Sequence, residues 1–131
     1  MWTITTNDNQ KLIIIKSGET LDLKNLEQIL SVIYLDNNGE YSSFNRFANL
    51  SGIKNIEVDI NALVDNVKLH RQINPPKNDV KIAVYLPFGV THSLAELYKL
   101  MMENDTFGIM VSSSLAKCAA HIDVDQSTLN G

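Results

Sequence analysis

The stretch Lys11-Leu12-Ile13-Ile14-Ile15-Lys16 is the clearest structural signal in this sequence. Four consecutive aliphatic residues, three of them β-branched, stand between two lysines, and this pattern is typical of a buried strand. Residues 2–6 alternate large and polar side chains and lead into Asn7-Asp8-Asn9, a cluster of turn-forming residues. Because only this short turn separates the two segments, we predict an opening antiparallel hairpin.

A helix is predicted after the hairpin, from about Leu21 to Leu35. Apolar residues recur in this segment at the 3.6-residue spacing that makes one helical face hydrophobic. Thr20 or Asp22 is suited to cap the start of the helix, and Asn37-Asn38-Gly39 is suited to end it.

Three further strands alternate with three further helices in the rest of the chain. The strands are expected at about residues 41–50, 81–86 and 106–111, and the helices at about 59–73, 93–103 and 112–122. In the second helix, Asp59 is placed to cap the start, Leu69 is expected on the buried side, and Pro75-Pro76 prevents continuation. Ser93-Leu94-Ala95-Glu96 has the spacing of a capping box and begins the third helix.

The predicted order is β-β-α-β-α-β-α-β-α, which defines an α/β fold. Helical connections between consecutive strands require parallel pairing, so we expect a five-stranded mixed sheet covered by about four helices. Residues 1–124 are predicted to form a single domain, and residues 125–131 show no periodicity and are predicted to fray.

Composition excludes several classes of protein. The chain has 131 residues, of which 44% are hydrophobic and 20% charged, as in a soluble globular domain. Its net charge of −4 argues against a whole-surface electrostatic grip on nucleic acid. No apolar run is long enough to span a bilayer, and the start resembles no signal peptide, so a cytoplasmic protein is expected.

Catalytic signatures are absent from the sequence. It contains no GxGxxG motif for dinucleotide binding, no GxxxxGK[ST] loop for phosphate binding and no GxSxG nucleophile elbow. His70, His92 and His121 fall on three different predicted helices, which favours solvated or capped helix ends over a metal site. Cys118, the single cysteine, is expected to be a small buried apolar group. We therefore predict a protein without enzymatic activity or cofactor.

A basic stretch near the end of the second helix has two interpretations. It is either a local patch for an anionic partner or a helix C-terminus with its solvated loop, and the second is the commoner case. The residues of this stretch are Lys68, His70, Arg71, Lys77 and Lys81.

Polar residues follow the carboxyl ends of the predicted parallel strands, where ligands tend to bind in α/β sheets. Ser51-Gly52 follows one strand, and hydroxyl groups with free backbone amides at the next two strand ends are suited to hold an anion. The alternative is that these residues only cap helices. The candidate ligand-binding residues are Thr91, His92, Ser93, Ser112 and Ser113.

Several segments carry a resemblance to a known family. They are Trp2-x-Ile4, the strand at 12–15, the stretch Asn45-Arg46-Phe47-Ala48-Asn49-Leu50-Ser51-Gly52-Ile53, the strand Lys81-Ile82-Ala83-Val84-Tyr85, the segment from Phe88-Gly89 to Tyr98-Lys99-Leu100-Met101, and Ser114-Leu115-Ala116. Over about residues 1–122 the chain resembles small bacterial proteins described as SpoIIAA-like, relatives of the STAS (anti-anti-sigma) fold. In STAS switches a serine at the start of the helix after the third strand is phosphorylated, whereas residues 57–61 here contain no Ser or Thr.

The resemblance and the missing catalytic motifs together predict a STAS-like protein-interaction or regulatory module without the usual phosphoserine. Such a module should expose a patch of apolar residues, with Phe88, Met101, Met102 and Leu129 as candidates. Two adjacent methionines cannot both face the core, so we expect one of them to serve a contact in a homodimer. The alternative function is the binding of a small ligand or lipid at the strand ends near Thr91, His92 and Ser112.

Overall fold

The computed structural model describes residues 2–75, 77, 79–86 and 107–129. The predicted third helix, at 93–103, lies outside these residues. The strands are β1 (Thr3–Asn7), β2 (Leu12–Lys16), β3 (Thr20–Leu21), β4 (Asn45–Asn49), β5 (Asn55–Ile56), β6 (Val80–Tyr85) and β7 (Phe107–Ser112). The helices are α1 (Leu23–Tyr34), a 3-10 helix (Asp36–Ser43), α2 (Ile60–Ile73), α3 (Leu115–His121) and α4 (Gln126–Leu129).

The predicted α/β fold with a five-stranded mixed sheet is confirmed. The strand order is β1-β2-β4-β6-β7; β1 pairs antiparallel with β2, and the other neighbours are parallel. The hairpin register places Ile4 opposite Ile15. A second, two-stranded parallel sheet of β3 and β5 was not predicted, because segments of two residues carry no detectable periodicity.

Helices cover both faces of the large sheet, since side chains alternate along each strand. Ile13 and Ile15 of β2 belong to the core cluster that includes α1 and α2. Leu12 of β2 belongs to a second cluster with Cys118 of α3 and Leu129 of α4. We call the two sides of the sheet the α1/α2 face and the α3/α4 face.

Side-chain caps fix where the helices begin. The carboxylate of Asp22 accepts a hydrogen bond of 2.8 Å from the backbone N–H of Asn25, and Asp59 accepts one of 2.8 Å from Ala62. The hydroxyl of Ser114 accepts from the backbone N–H of Lys117 at 3.3 Å. Each bond satisfies a donor that the first helical turn leaves without a partner, so the predicted starts of α1 and α2 are correct to within two residues.

The predicted strand at 41–50 is wrong in its first half, which belongs to the 3-10 helix. Asn37, Asn38 and Gly39 adopt positive φ angles of 53°, 57° and 77° after α1. The Ser42 hydroxyl then donates a hydrogen bond of 2.8 Å to the carbonyl of Gly39, closing the turn. Because of the left-handed backbone at 37–39 and this side-chain hydrogen bond, the strand begins only at Asn45. The aromatic residues at 41 and 44 favour an earlier start.

The segment after Asp125 forms the short helix α4 where the sequence predicts a frayed end. Its first turn closes through a hydrogen bond of 3.0 Å from the backbone N–H of Thr128 to the carbonyl of Asp125. Leu129 is only 5% exposed and packs with Leu12 and Ile122. Burial of one leucine therefore holds a segment whose sequence has no helical periodicity. Leu129 is not part of an exposed patch.

Leu69 was expected on the buried side of α2 and His70 at a solvated or capped helix end, and the structure shows the reverse burial. Leu69 is 58% exposed, whereas His70 is buried at 8%. Val67 lies on the buried side of α2, and Leu69, two residues later, is turned about 200° from it around the helix. His70 is three residues from Val67, which returns it to the core side.

The Gly39 position provides a test of the turn after α1. A Cβ atom at residue 39 would overlap the side chain of Asn74, whose amide donates a hydrogen bond of 2.7 Å to the carbonyl of Tyr34. We expect Gly39→Ala to lower the free energy of unfolding by about 2 kcal/mol, because it combines left-handed strain with this overlap. Urea denaturation measures the change.

Gly108→Ala is the matched control. A Cβ atom there would meet no heavy atom of the described residues within 4 Å. Its free energy of unfolding should remain within about 0.5 kcal/mol of the unchanged protein. Equal effects of the two substitutions would contradict the assigned role of Gly39.

Candidate functional site

The predicted strand-end site is only partly within the described residues. Ser112 is the last residue of β7, and Ser113 follows it, exposed. Thr91, His92 and Ser93, and the apolar candidates Phe88, Met101 and Met102, lie outside the described residues. The structure therefore brings Ser112 and Ser113 to the carboxyl edge of the sheet and leaves their predicted neighbours undescribed.

Polar groups at this edge bond to one another. The Ser112 hydroxyl accepts a hydrogen bond of 3.0 Å from the backbone N–H of Ser114, next to the cap of α3. The Ser51 hydroxyl donates to the Asn49 side chain at 2.6 Å, and the N–H of Gly52 donates to the Ser17 hydroxyl at 3.1 Å. These hydroxyls hold turns together, and the N-cap of α3 is Ser114 and not Ser112, which the capping alternative names.

The connections of β2, β4 and β6 differ from those that form a ligand crevice in an open α/β sheet. Ligand crevices in open α/β sheets form where neighbouring connections leave the sheet on opposite faces. Here α1 and α2 connect these strands in order and both pack on the α1/α2 face. The described connections among these three strands therefore form no topological switch point.

Cys118 is the buried apolar group that its neighbours predict. It has no exposed surface and packs with Leu12, Phe47 and Ala83. Burial raises the pKa of its thiol to about 11, from an ordinary value of 9.0. The reactive thiolate is therefore scarce at neutral pH.

The two histidines within the described ranges are both held by backbone carbonyls. Nδ1 of His70 lies 2.9 Å from the carbonyl oxygen of Asn66, and Nε2 of His121 lies 2.9 Å from that of Gly108. Nε2 of His70 also lies 3.5 Å from the Glu27 carboxylate. No group of three His, Cys, Asp or Glu side chains able to hold a metal ion occurs in this part of the chain.

A cavity on the α1/α2 face is the most distinctive feature of the described structure. Its volume is about 170 Å³, and it lies between α1, α2 and the sheet. Its walls include Leu30 of α1, Val67 of α2 and Ala48 of β4, with Trp2 also in the lining. Arg46 is the only charged residue among the described residues that line it, so we call it the Arg46 cavity.

Arg46 is 4% exposed and belongs to the middle of this apolar face. Its Nη2 donates a hydrogen bond of 2.9 Å to the carbonyl of Ser42. Its guanidinium carbon lies 5.4 Å from the centre of the Tyr34 ring, within the range of a cation–π interaction. The backbone carbonyl and the aromatic ring thus offset part of the desolvation cost of a buried cation.

Tyr34 forms the other polar element of the cavity wall. Burial raises the pKa of its phenol, and the nearby charges of Arg46 and Arg71 oppose that rise. The phenol therefore remains protonated at neutral pH and can donate a hydrogen bond. The His70 ring lies beyond it, with the ring centroids 6.4 Å apart.

Sequence reasoning missed Arg46 as a functional residue, although a signal was present. Residues 44, 46 and 48 share one side of an extended chain, and Phe44 and Ala48 both face the α1/α2 core. An arginine between two such positions must also enter that core. Only the tertiary structure shows that a cavity opens beside it.

The outer surface of α2 is the second feature of interest; we define it as Lys68, Leu69, Gln72 and Ile73. Leu69 and Ile73 are 58% and 56% exposed and stand four residues apart, so they adjoin on one side of the helix. Lys68 and Gln72 line a shallow cleft of about 320 Å³ with Arg71 and Pro75. Apolar and basic groups therefore meet here.

The predicted basic stretch is divided by the fold. His70 is buried, and Lys81 forms an ion pair of 3.2 Å with Asp123. Lys68 stays exposed on α2 beside the apolar pair.

No family model and no curated protein sequence matches this chain in comparisons with known proteins. None of the helices in the described residues has the length and apolarity needed to cross a membrane.

Alkylation of Cys118 tests its assignment as a core residue. At pH 8 we expect iodoacetamide to modify the folded protein roughly a hundredfold more slowly than the chain unfolded in guanidinium, because the raised pKa depletes the thiolate. Mass spectrometry of timed samples measures both rates. Similar rates would contradict the assignment.

The same pKa shift predicts a loss of stability in alkali. Above pH 9.0 the thiol ionises in the unfolded chain, but in the folded chain it stays protonated until about pH 11. The thiol therefore favours unfolding increasingly as pH rises through this range. Cys118→Ala should remove this part of the pH dependence in denaturation curves.

Proposed function

We propose that this chain is a cytoplasmic, non-enzymatic STAS-like module that regulates another protein by binding it through the outer surface of α2. The observation that carries the proposal is the exposed pair Leu69 and Ile73 beside Lys68. The STAS resemblance supports a regulatory role, and the strand-helix order of the described residues is compatible with it.

The chemistry of this surface points to an acidic, amphipathic partner segment. Two adjacent aliphatic side chains provide apolar area that water solvates poorly, and interfaces bury such groups at their centre. Lys68, exposed beside this pair, favours carboxylates at the rim and disfavours basic partners.

The start of α2 differs from the STAS phosphoswitch. Asp59 occupies the N-cap, and its carboxylate accepts the Ala62 N–H at 2.8 Å. A carboxylate at this place carries a constant negative charge, which a kinase cannot add or remove. We therefore propose that regulation here depends on binding itself and not on a phosphoserine at this helix.

Photocrosslinking in cells tests the proposed surface. We expect p-benzoylphenylalanine in place of Leu69 to give an adduct of discrete mass, and the same residue in place of the exposed Thr5 to give none. Lys68→Glu should lower the yield several-fold, because it opposes an acidic partner. Mass spectrometry identifies the partner, and an adduct of twice the chain mass identifies a homodimer.

The control establishes that the surface is not needed for folding. Leu69→Ser should change the free energy of unfolding by no more than about 0.5 kcal/mol, because Leu69 is mostly exposed. Val67→Ser, two residues away and 5% exposed, should cost several times more. Adducts of equal yield from positions 5 and 69 would reject the proposal.

A further inference from the structure

The Arg46 cavity combines two properties that rarely occur together in a protein core. Its described lining residues are aliphatic or aromatic except for Arg46, and the aromatic ones with a polar group are Tyr34 and Trp2, whose indole N–H is bonded to Thr20. A buried cation is costly in such surroundings, while well-packed apolar side chains of similar size would avoid that cost. A cavity that keeps a cation in its wall is therefore suited to a ligand that is mostly apolar and carries one negative charge.

The size of the cavity limits the ligand. Its volume is about 170 Å³, and an apolar cavity of about 150 Å³ accepts one benzene molecule. Ligands of roughly six to nine non-hydrogen atoms therefore fit, whereas a long-chain lipid does not.

The arrangement of the lining gives the ligand a direction. Along β4 the wall extends from Arg46 through Ala48 to Leu50, a span of about 13 Å. The charged group is at the Arg46 end, where Tyr34 also lies. Trp2, Ile53 and Ile56 are apolar lining residues near the other end of that wall.

We propose that the Arg46 cavity binds a small apolar carboxylate, with the carboxylate against the Arg46 guanidinium and the apolar part between α1, α2 and β4. A guanidinium offers a planar fork of donors that matches a carboxylate. The protonated Tyr34 hydroxyl adds a neutral donor on the same side. This site is separate from the outer surface of α2 and from the strand ends near Ser112.

Trp2 allows binding to be measured directly. It is the single tryptophan of the chain, it lines the cavity, and its indole N–H is fixed by a hydrogen bond of 2.8 Å to the carbonyl of Thr20. We expect hexanoate, the first probe, to change Trp2 fluorescence saturably at millimolar concentration. Benzoate tests whether an aromatic acid is accepted as well as an aliphatic one.

Probes with the same hydrocarbon chain and different polar groups distinguish the contribution of the carboxylate to binding from that of the hydrocarbon. Hexanol should bind roughly tenfold to a hundredfold more weakly than hexanoate, because it lacks a charge-assisted hydrogen bond to Arg46. Hexylamine should bind more weakly still, because its charge opposes the guanidinium. Equal affinities for hexanol and hexanoate, or no saturable change with hexanoate and benzoate, would overturn the proposal.

Three variants locate the site. Arg46→Met should weaken hexanoate by roughly tenfold or more and leave hexanol unchanged. Ala48→Leu fills the cavity with three carbons and should weaken both probes. Lys16→Met removes one exposed positive charge outside the cavity lining and should change neither affinity.

Circular dichroism shows whether each variant folds. If Arg46→Met does not fold, the three-probe comparison on the unchanged protein and the Ala48→Leu titration decide the matter. Unchanged hexanoate binding in Ala48→Leu would place the ligand elsewhere and reject the proposal.

Discussion

The burial of β2 on both of its faces is the constraint on which the rest of the structure depends. Ile13 and Ile15 point to one side and Leu12 to the other, so one strand requires two separate covering layers. The chain supplies α1 and α2 for the first layer and α3 and α4 for the second. Even the last described residue, Leu129, serves to cover Leu12.

The two layers carry different features. On the α3/α4 face, Phe47 is fully buried, and Ala83 and Cys118 have no exposed surface. On the α1/α2 face, α1 connects β2 to β4 and α2 connects β4 to β6. The side chains between these two helices and the sheet surround the Arg46 cavity. The same face has an outer surface on α2, so one layer carries both proposed binding features, one inside and one outside.

The fold was largely predictable, because long segments with a clear period determine it. The aliphatic run at 12–15, the caps Asp22 and Asp59, and the alternation of strands and helices led to the five-stranded mixed sheet. The 3-10 helix was missed because its left-handed turn depends on three residues, Asn37 to Gly39. The same residue types are equally typical of a helix end that is followed directly by a strand. The STAS resemblance stays a proposal, and so does the regulatory function based on it.

The sequence by itself determined the class of fold and the burial of Cys118, since apolar period and small neighbours act locally along the chain. The helical period already places His70 on the same side of α2 as Val67 and Leu69 on the other side, and the tertiary structure decided that the Val67 side is covered deeply enough to bury an imidazole. It also decided that Arg46 borders a cavity. A void arises from the fit of side chains far apart in sequence, and no local pattern records that fit.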